Sequence, residues 1–230
     1  MHEHEGYGQF CPVSMASEIL CSRWTTLVIR EMLCGSVRFN ELRRGVPKMS
    51  PALLSKRLRE LEQAGIVIVD RFPNGTSRYR LSEAGEDLRP IIMGLGNWAQ
   101  RWMESRLFLQ KLDPSLLMWD MRRNVDTSHL PRHRCTIQFL YPELSASQKS
   151  WWLVVENGVV DLCNFDPGYE LDLLVRSSLK SMTAIWMGLS TVMQEADAHQ
   201  LDVQGDPDLA RTIQKWLGLS AFAAVPRKAP

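Results

Sequence analysis

The 230-residue sequence predicts an α+β chain in two parts: two short helices joined by a tight turn and followed by a β-hairpin, then a sheet with helices on one face. Three observations predict it. A basic amphipathic helix stands between clear start and stop signals within residues 39–65. An Asn-Gly turn joins two β-rich runs directly after it. Beyond Asp113-Pro114, four strand-like runs precede a set of helical patterns.

Residues 14–20 and 23–33 read as scaffold helices, the second with Trp24, Leu27, Val28 and Met32 near one face and Gly35 as its stop. In the next helix pair, Ser50 can cap the second member and Pro51 takes its first position, where a missing N–H costs nothing. Gly65 ends it. Leu54, Leu58 and Leu61 recur at i, i+4, i+7 and form an inward stripe, with Ala52, Ser55, Lys56, Arg59 and Gln63 opposite and Arg57 on the flank. Short polar groups followed by long cations suit a major groove, where they meet base edges and phosphates. A solvated charged face is the plainer alternative.

Residues 66–72 and 77–81 are joined by Pro73-Asn74-Gly75-Thr76, and the Asn-Gly pair predicts a turn with positive φ at both central positions. Arg71, Arg78 and Arg80 decorate this hairpin, Arg78 and Arg80 on one face. A helix-turn-helix with a basic hairpin is a winged helix, whose wing reaches the backbone or minor groove of duplex DNA. The candidate DNA-binding residues are Arg43, Lys48, Ser50, Ala52, Ser55, Lys56, Arg57, Arg59, Arg71, Asn74, Arg78 and Arg80.

From Ser82 one long helix is predicted to about residue 110, its Ile91, Leu95, Trp98 and Trp102 making a stripe broader than a small domain needs. A matching helix of a second subunit would cover it; packing against the chain's own C-terminal half is the alternative. Asp113-Pro114 then caps and starts a helix. The boundary is placed here, with domains over 1–111 and 112–230. Strands are expected over 135–141, 151–156, 159–165 and 169–176 as a meander, Asn157-Gly158 turning the middle pair. Helices follow over 179–189 and 192–199, then a short strand over 200–205 and a helix from Asp206-Pro207 to 217.

Composition narrows the function. Hydrophobic residues make up 45% and charged residues 23%, so ordinary cores are within reach. The net charge of +1 is unevenly spread: residues 23–80 hold 12 Lys and Arg against 5 Asp and Glu, residues 112–230 hold 11 against 14. The positive charge thus sits on the proposed reader. No apolar run is long enough to span a membrane and the first ten residues lack signal-peptide character, so a cytoplasmic protein is expected. Five cysteines without a C-x-x-C pair fit reduced thiols. His2, His4 and Cys11 match no structural zinc spacing, and no metal or cofactor is expected. His129 and His133 flank Pro131 in a polar run and read as surface residues. Phosphate-loop and nucleophile-elbow patterns are missing, so no catalytic residue is assigned and an enzyme is not expected.

Several pieces carry a family resemblance: Cys11-Pro12-Val13, Arg23-Trp24 opening a helix that ends IREMLCG, RFNELRRGVPKMSPALLSKRLRELEQAGIV, and YRLSEAG before a long helix. Residues 11 to about 103 resemble the HxlR family of winged-helix transcription regulators. The resemblance implies a homodimer on a pseudo-palindromic operator. In some members it also implies a redox or electrophile switch at a cysteine placed like Cys11; a small buried hydrophobe is the alternative there. From residue 113 to about 225, WWLVVENGVVDLCNFDPG, IWMGL and KWLGLSAFA resemble the sterol carrier protein-like lipid-binding fold. That implies a tunnel for a fatty acyl chain or another apolar molecule, with Phe139, Trp151, Trp152, Trp186, Met193 and Trp216 as candidate ligand-binding residues.

These readings converge on an operator-binding regulator modulated by an apolar effector. Two alternatives remain open: a regulator switched through Cys11 with a purely structural C-terminal half, and a lipid carrier with a vestigial DNA module. Steep salt dependence of DNA binding separates the first two from the third.

Overall fold

The computed structural model describes residues 6–229. The chain divides into two compact units, one ending at Gly96 and the other beginning at Asn97.

The first unit opens with α1 (Pro12–Leu20) and α2 (Thr25–Leu33). Helix α2 starts later than its spacing predicts because Trp24 lies in the left-handed region, at φ 79°, and cannot continue a right-handed turn. Its buried face is Thr25, Val28, Ile29 and Met32, whereas Leu27, expected inside, is exposed. Next come α3 (Phe39–Gly45) and α4 (Pro51–Gln63). Ser50 Oγ accepts the Leu53 N–H at 3.3 Å, and Gly65 leaves the helix at φ 72°. Leu54, Leu58 and Leu61 are buried in one core with Val28, Ile29, Leu42 and Val67. Burial of each leucine contributes about 1.5–3 kcal/mol, and together they turn the opposite face of α4 outward.

A half-buried arginine, paired with its neighbour on α2, ties that helix to the end of α3. Glu31 is fully buried and paired with Arg30, Ser36 Oγ donates to its Oε2 at 3.4 Å, and Arg30 also donates to the Gly45 carbonyl at 3.3 Å. A Cβ on Gly45 would overlap the Glu31 carboxylate.

Strands β1 (Val67–Arg71) and β2 (Ser77–Leu81) pair antiparallel, with Arg71 opposite Ser77. Their turn departs from expectation, since within it only Gly75 has positive φ, at 79°. Pro73 imposes its own φ. The Gly75 N–H donates to the Phe72 carbonyl at 3.0 Å and the Phe72 N–H to the Thr76 carbonyl at 2.9 Å, which gives a three-residue loop ending in a glycine bulge.

The single long helix is in fact three: α5 (Glu83–Glu86), α6 (Arg89–Trp102) and α7 (Ser105–Phe108). The first break precedes Pro90, whose ring excludes the carbonyl one turn back and disfavours helical geometry before it. The second comes where Glu104 turns extended, at φ −61° and ψ 139°. On α6, Ile92 is buried in the first unit's core, while Ile91, Leu95, Trp98 and Trp102 are 51%, 54%, 61% and 51% exposed.

In the second unit, α8 (Pro114–Asn124) is capped by Asp113, which accepts N–H bonds from Ser115 and Leu116. A 3-10 turn at Thr127–His129 leads to β3 (Cys135–Leu140), β4 (Ser150–Glu156), β5 (Val159–Cys163) and β6 (Leu173–Ser177). Then follow α9 (Leu179–Trp186), α10 (Val192–Asp197), β7 (Leu201–Gly205) and α11 (Pro207–Trp216). The strand order is β5-β4-β3-β6-β7, so the expected meander is incomplete: β6 crosses over to lie parallel beside β3. Asp172 enforces this. Its Oδ2 accepts the Thr136 N–H at 2.7 Å and its own N–H donates to the Thr136 carbonyl at 3.0 Å, tying the entry of β6 to β3. The β4–β5 turn is the two-residue form expected, with Asn157 at φ 52° and Gly158 at φ 78°.

One sheet face carries Ile137, Phe139, Leu153 and Val175, buried against Met118, Met182, Ile185, Ile213 and Trp216 from the helices. Burial, with the Asp172 and Asp206 carboxylates adding to it, pushes the Cys135 thiol up to about 12. Burial also pushes the Tyr141 phenol up, and its hydroxyl donates to Met118 Sδ at 3.1 Å.

Candidate nucleic-acid interface

The outward face of α4 presents Ala52, Lys56, Arg59 and Gln63, all exposed, with Ser55 half-buried beside them. Lys56 is only loosely held by Glu60, at 3.8 Å. Arg57 is placed differently from the expectation. Its Nε donates to the Arg23 carbonyl at 3.1 Å, its other end pairs with Glu60, and its side chain is 16% exposed. Its guanidinium therefore fastens α4 to the segment before α2 and is taken up by protein partners. The hydroxyl of Ser50 is likewise taken up by the cap. Arg43 and Lys48 stand exposed at the end of α3 and in the turn before α4.

In the wing, Arg71 is held by both carboxylate oxygens of Glu62 at 2.9 Å, and Arg80 by Asp70 at 3.0 Å. Arg78, on the same strand face as Arg80, carries no ion pair among the described residues. Asn74 Oδ1 accepts the N–H and the hydroxyl of Thr76, at 3.0 and 2.7 Å, so it shapes the loop tip. The wing is seated by backbone bonding: the Tyr79 N–H donates to the Val37 carbonyl at 2.8 Å. Glu41 caps the start of α3 by accepting the N–H of Val37 and of Arg38, both at 2.9 Å.

Between the start of α3 and the wing lies an open groove of about 1230 Å³ lined by Arg38, Arg44, Asn74, Thr76 and Arg78. Arg38 and Arg44 escaped the sequence reading. Arg44 sits beside Arg43 with no periodicity to separate the two, and Arg38 precedes the helix, where only the folded wing gives it a facing wall. Glu41, whose carboxylate is taken up by the α3 cap, and the Phe39, Phe72 and Tyr79 rings complete the lining; the three guanidinium groups are what suits the groove to the sugar-phosphate backbone of a nucleic acid.

The six residues expected to line an apolar tunnel are not gathered around one space. Phe139 and Trp216 are sealed in the core and Trp151 and Trp186 are buried, whereas Met193 on α10 is 71% exposed. Trp152 alternates with Trp151 along β4 and stands opposite Gln138 on the other sheet face. Cys11 is exposed at the start of α1, so it is not the buried hydrophobe of the alternative reading. His2 and His4 lie outside the described residues. Among the described residues no group of three His, Cys, Asp or Glu could hold a metal ion, and no helix is long and apolar enough to cross a membrane.

Comparison with known proteins adds the following. Residues 19–107 match the family described as HxlR-like helix-turn-helix. The HTH-type transcriptional regulator YvaP of Bacillus subtilis is 37% identical over 99 residues, a match that covers 42% of this chain and 92% of YvaP. A regulator of the same type from Methanothermobacter thermautotrophicus is 32% identical over 94 residues, 40% of this chain and 72% of its own. Among solved structures, the redox regulator HypR in its oxidized form is 33% identical, covering 39% of this chain and 95% of HypR, with a TM-score of 0.37.

Proposed function

This chain belongs to the HxlR-like helix-turn-helix family of transcription regulators, and on that premise we propose that it binds a pseudo-palindromic operator as a homodimer, with its C-terminal unit receiving an effector. The observation that carries the reading is the outward face of α4. Three buried leucines aim it away from the core, and Lys56 and Arg59 stand exposed there, next in sequence to a wing whose Arg78 has no carboxylate partner among the described residues. In this reading α4 enters the major groove, and Arg78, Arg38 and Arg44 grip phosphates. The exposed stripe on α6 supports dimerisation, since a helix with four large apolar residues open to water is stabilised by a copy of itself.

The test is operator binding measured against salt and against substitutions. Binding to the chain's own upstream DNA falls steeply with salt, Lys56→Ala and Arg59→Ala relax base preference, and Arg78→Ala weakens all sequences alike. A flat response to all three substitutions overturns the assignment of α4.

For the effector, the likeness of the second unit to sterol carrier proteins is carried forward as part of this proposal, supported by its sheet with a helical layer over one apolar face. Mass spectrometry of molecules extracted from the purified protein checks it: a bound fatty acid or similar apolar compound is the expected finding. A second reading is favoured by the exposure of Cys11. If this thiol is a switch, a mild oxidant or aldehyde weakens operator binding and Cys11→Ser removes the effect.

A further inference from the structure

We infer that the C-terminal unit binds a small organic anion, one bearing a carboxylate or phosphate group, in a cavity of mixed lining distinct from the apolar core. This open cavity of about 600 Å³ lies among α7, α9, α10 and the C-terminal tail. It is within the size range of small-molecule sites. Its charged groups are Lys180 and Arg227 against the single carboxylate of Glu195, a net positive balance. Serine hydroxyls, among them Ser181 and Ser190, line it together with an apolar wall of Leu109, Ala184 and Leu189 that suits the organic part of such a ligand.

Arg227 points to the ligand's chemistry. Its guanidinium lies over the Phe108 ring at 5.4 Å and Nη2 donates to the Met103 carbonyl at 2.6 Å, while Nη1 is buried with no hydrogen-bond partner among the described residues. A buried cationic donor with nothing to accept from it is a group whose lost hydration is uncompensated. An anion entering the cavity beside it, with Lys180 at the rim, supplies the missing acceptor.

The position of Arg227 also says what binding would do. The same tail segment closes the end of α6. The N–H groups of Lys228 and Ala229 both donate to the Arg101 carbonyl, at 2.8 and 3.1 Å, and Lys228 lies over the Trp102 ring at 5.1 Å. Gln100 Nε2 donates to the Met187 carbonyl at 3.1 Å, joining α6 to the end of α9. Helix termini leave carbonyls that need such partners. An anion paired with Arg227 therefore acts on the anchored end of a helix that begins at Arg89 and bears the stripe proposed for dimerisation. Only this consequence, and not the site itself, rests on the regulator reading. Binding biases the dimer to the extent that the anion prefers one arrangement of that end.

The test uses the full chain in thermal-shift titrations with inorganic phosphate and, separately, butyrate, chloride balancing the ionic strength. A saturable rise in Tm is expected for at least one of them. Lys180→Gln and Arg227→Gln should weaken the apparent affinity about tenfold, as loss of a charge-assisted hydrogen bond does, and Glu195→Gln should tighten it. Because Arg227→Gln also frees the tail, the exposed Lys180 and the opposite sign expected at Glu195 decide the matter. No saturable shift with either anion, or a shift that all three variants leave unchanged, overturns the proposal. Operator binding is then measured with and without the anion. A protein that binds the anion but not DNA retains the site and loses the regulator reading; one that binds DNA without a saturable anion response does the reverse.

Discussion

Tryptophans have opposite fates on α6, the helix that runs from the first unit into the second, and on the helices packed against the sheet. Trp98 and Trp102 lie more than half exposed on α6, whereas Trp119 and Trp216 of the sheet unit are sealed from solvent. The side chain is the same, so the difference lies in what each helix has to pack against. Helix α11 lays Leu209, Ile213 and Trp216 onto an apolar sheet face, while Ile91, Leu95, Trp98 and Trp102 of α6 stand open to water, the stripe proposed above for dimerisation.

Substitutions can widen or close that contrast. The largest effect is expected at Trp216→Ala, about 3–5 kcal/mol of stability from a lost buried aromatic. Trp98→Ala should leave subunit stability within about 0.5 kcal/mol yet lower the concentration dependence of unfolding, because it removes part of the proposed dimer contact. Urea denaturation at two protein concentrations measures both, and equal losses at the two sites would erase the distinction.

The N-terminal unit has its own intolerant point. Gly45→Ala drives a methyl into the buried Glu31 carboxylate, and about 1–3 kcal/mol of destabilisation is expected. A neutral outcome in thermal unfolding would mean that the Glu31 side chain is freer to move than its burial indicates.

A third contrast is between thiols. The folded chain keeps Cys135 protonated up to about 12, from an ordinary 9.0, so its contribution to stability is full below about pH 9 and is lost as pH rises, the unfolded thiol ionising first. At pH 10 the loss is roughly 1.4 kcal/mol for one pH unit of difference. Tyr141 adds to the alkaline fall in the same direction. Cys135→Val should flatten part of this limb in urea titrations between pH 8 and 10.5; Cys11, by contrast, is exposed and outside that core.

The smallest expected effect separates the two Asn-Gly hairpins. Asn157 holds φ 52° and Asn74 does not have positive φ, so Asn157→Ala should cost about 1 kcal/mol and Asn74→Ala, on an exposed loop, no more than about 0.5. Thermal unfolding of the pair distinguishes them.

Those hairpins also mark how far local sequence reaches. Asn157-Gly158 follows the rule for two-residue turns, but Pro73 in front of Asn74-Gly75 overrides it, and both readings were available from neighbouring residues alone. Pro90 should likewise have broken the predicted long helix. The outward cationic face of α4 was legible for a similar reason: Ser50, Pro51, the leucine spacing and Gly65 are all short-range signals. Arg57 was misread because its partners, Glu60 and the carbonyl of Arg23, include one from a distant segment. The six apolar residues assigned to a tunnel were misread as a group because alternation along β4 separates Trp151 from Trp152 on opposite faces.

Periodicity, caps and turn residues act over a few positions, and for that reason the sequence by itself determined the helices, the strands, the two hairpins and the exposed cationic face of α4. Which strand pairs with which, where a guanidinium finds its carboxylate and which tryptophans lose their water depend on segments brought together across long stretches of chain. Only the tertiary structure decided those: the parallel seat of β6 beside β3, the groove shared by Arg38, Arg44 and the wing, and the tail that carries Arg227 to the end of α6.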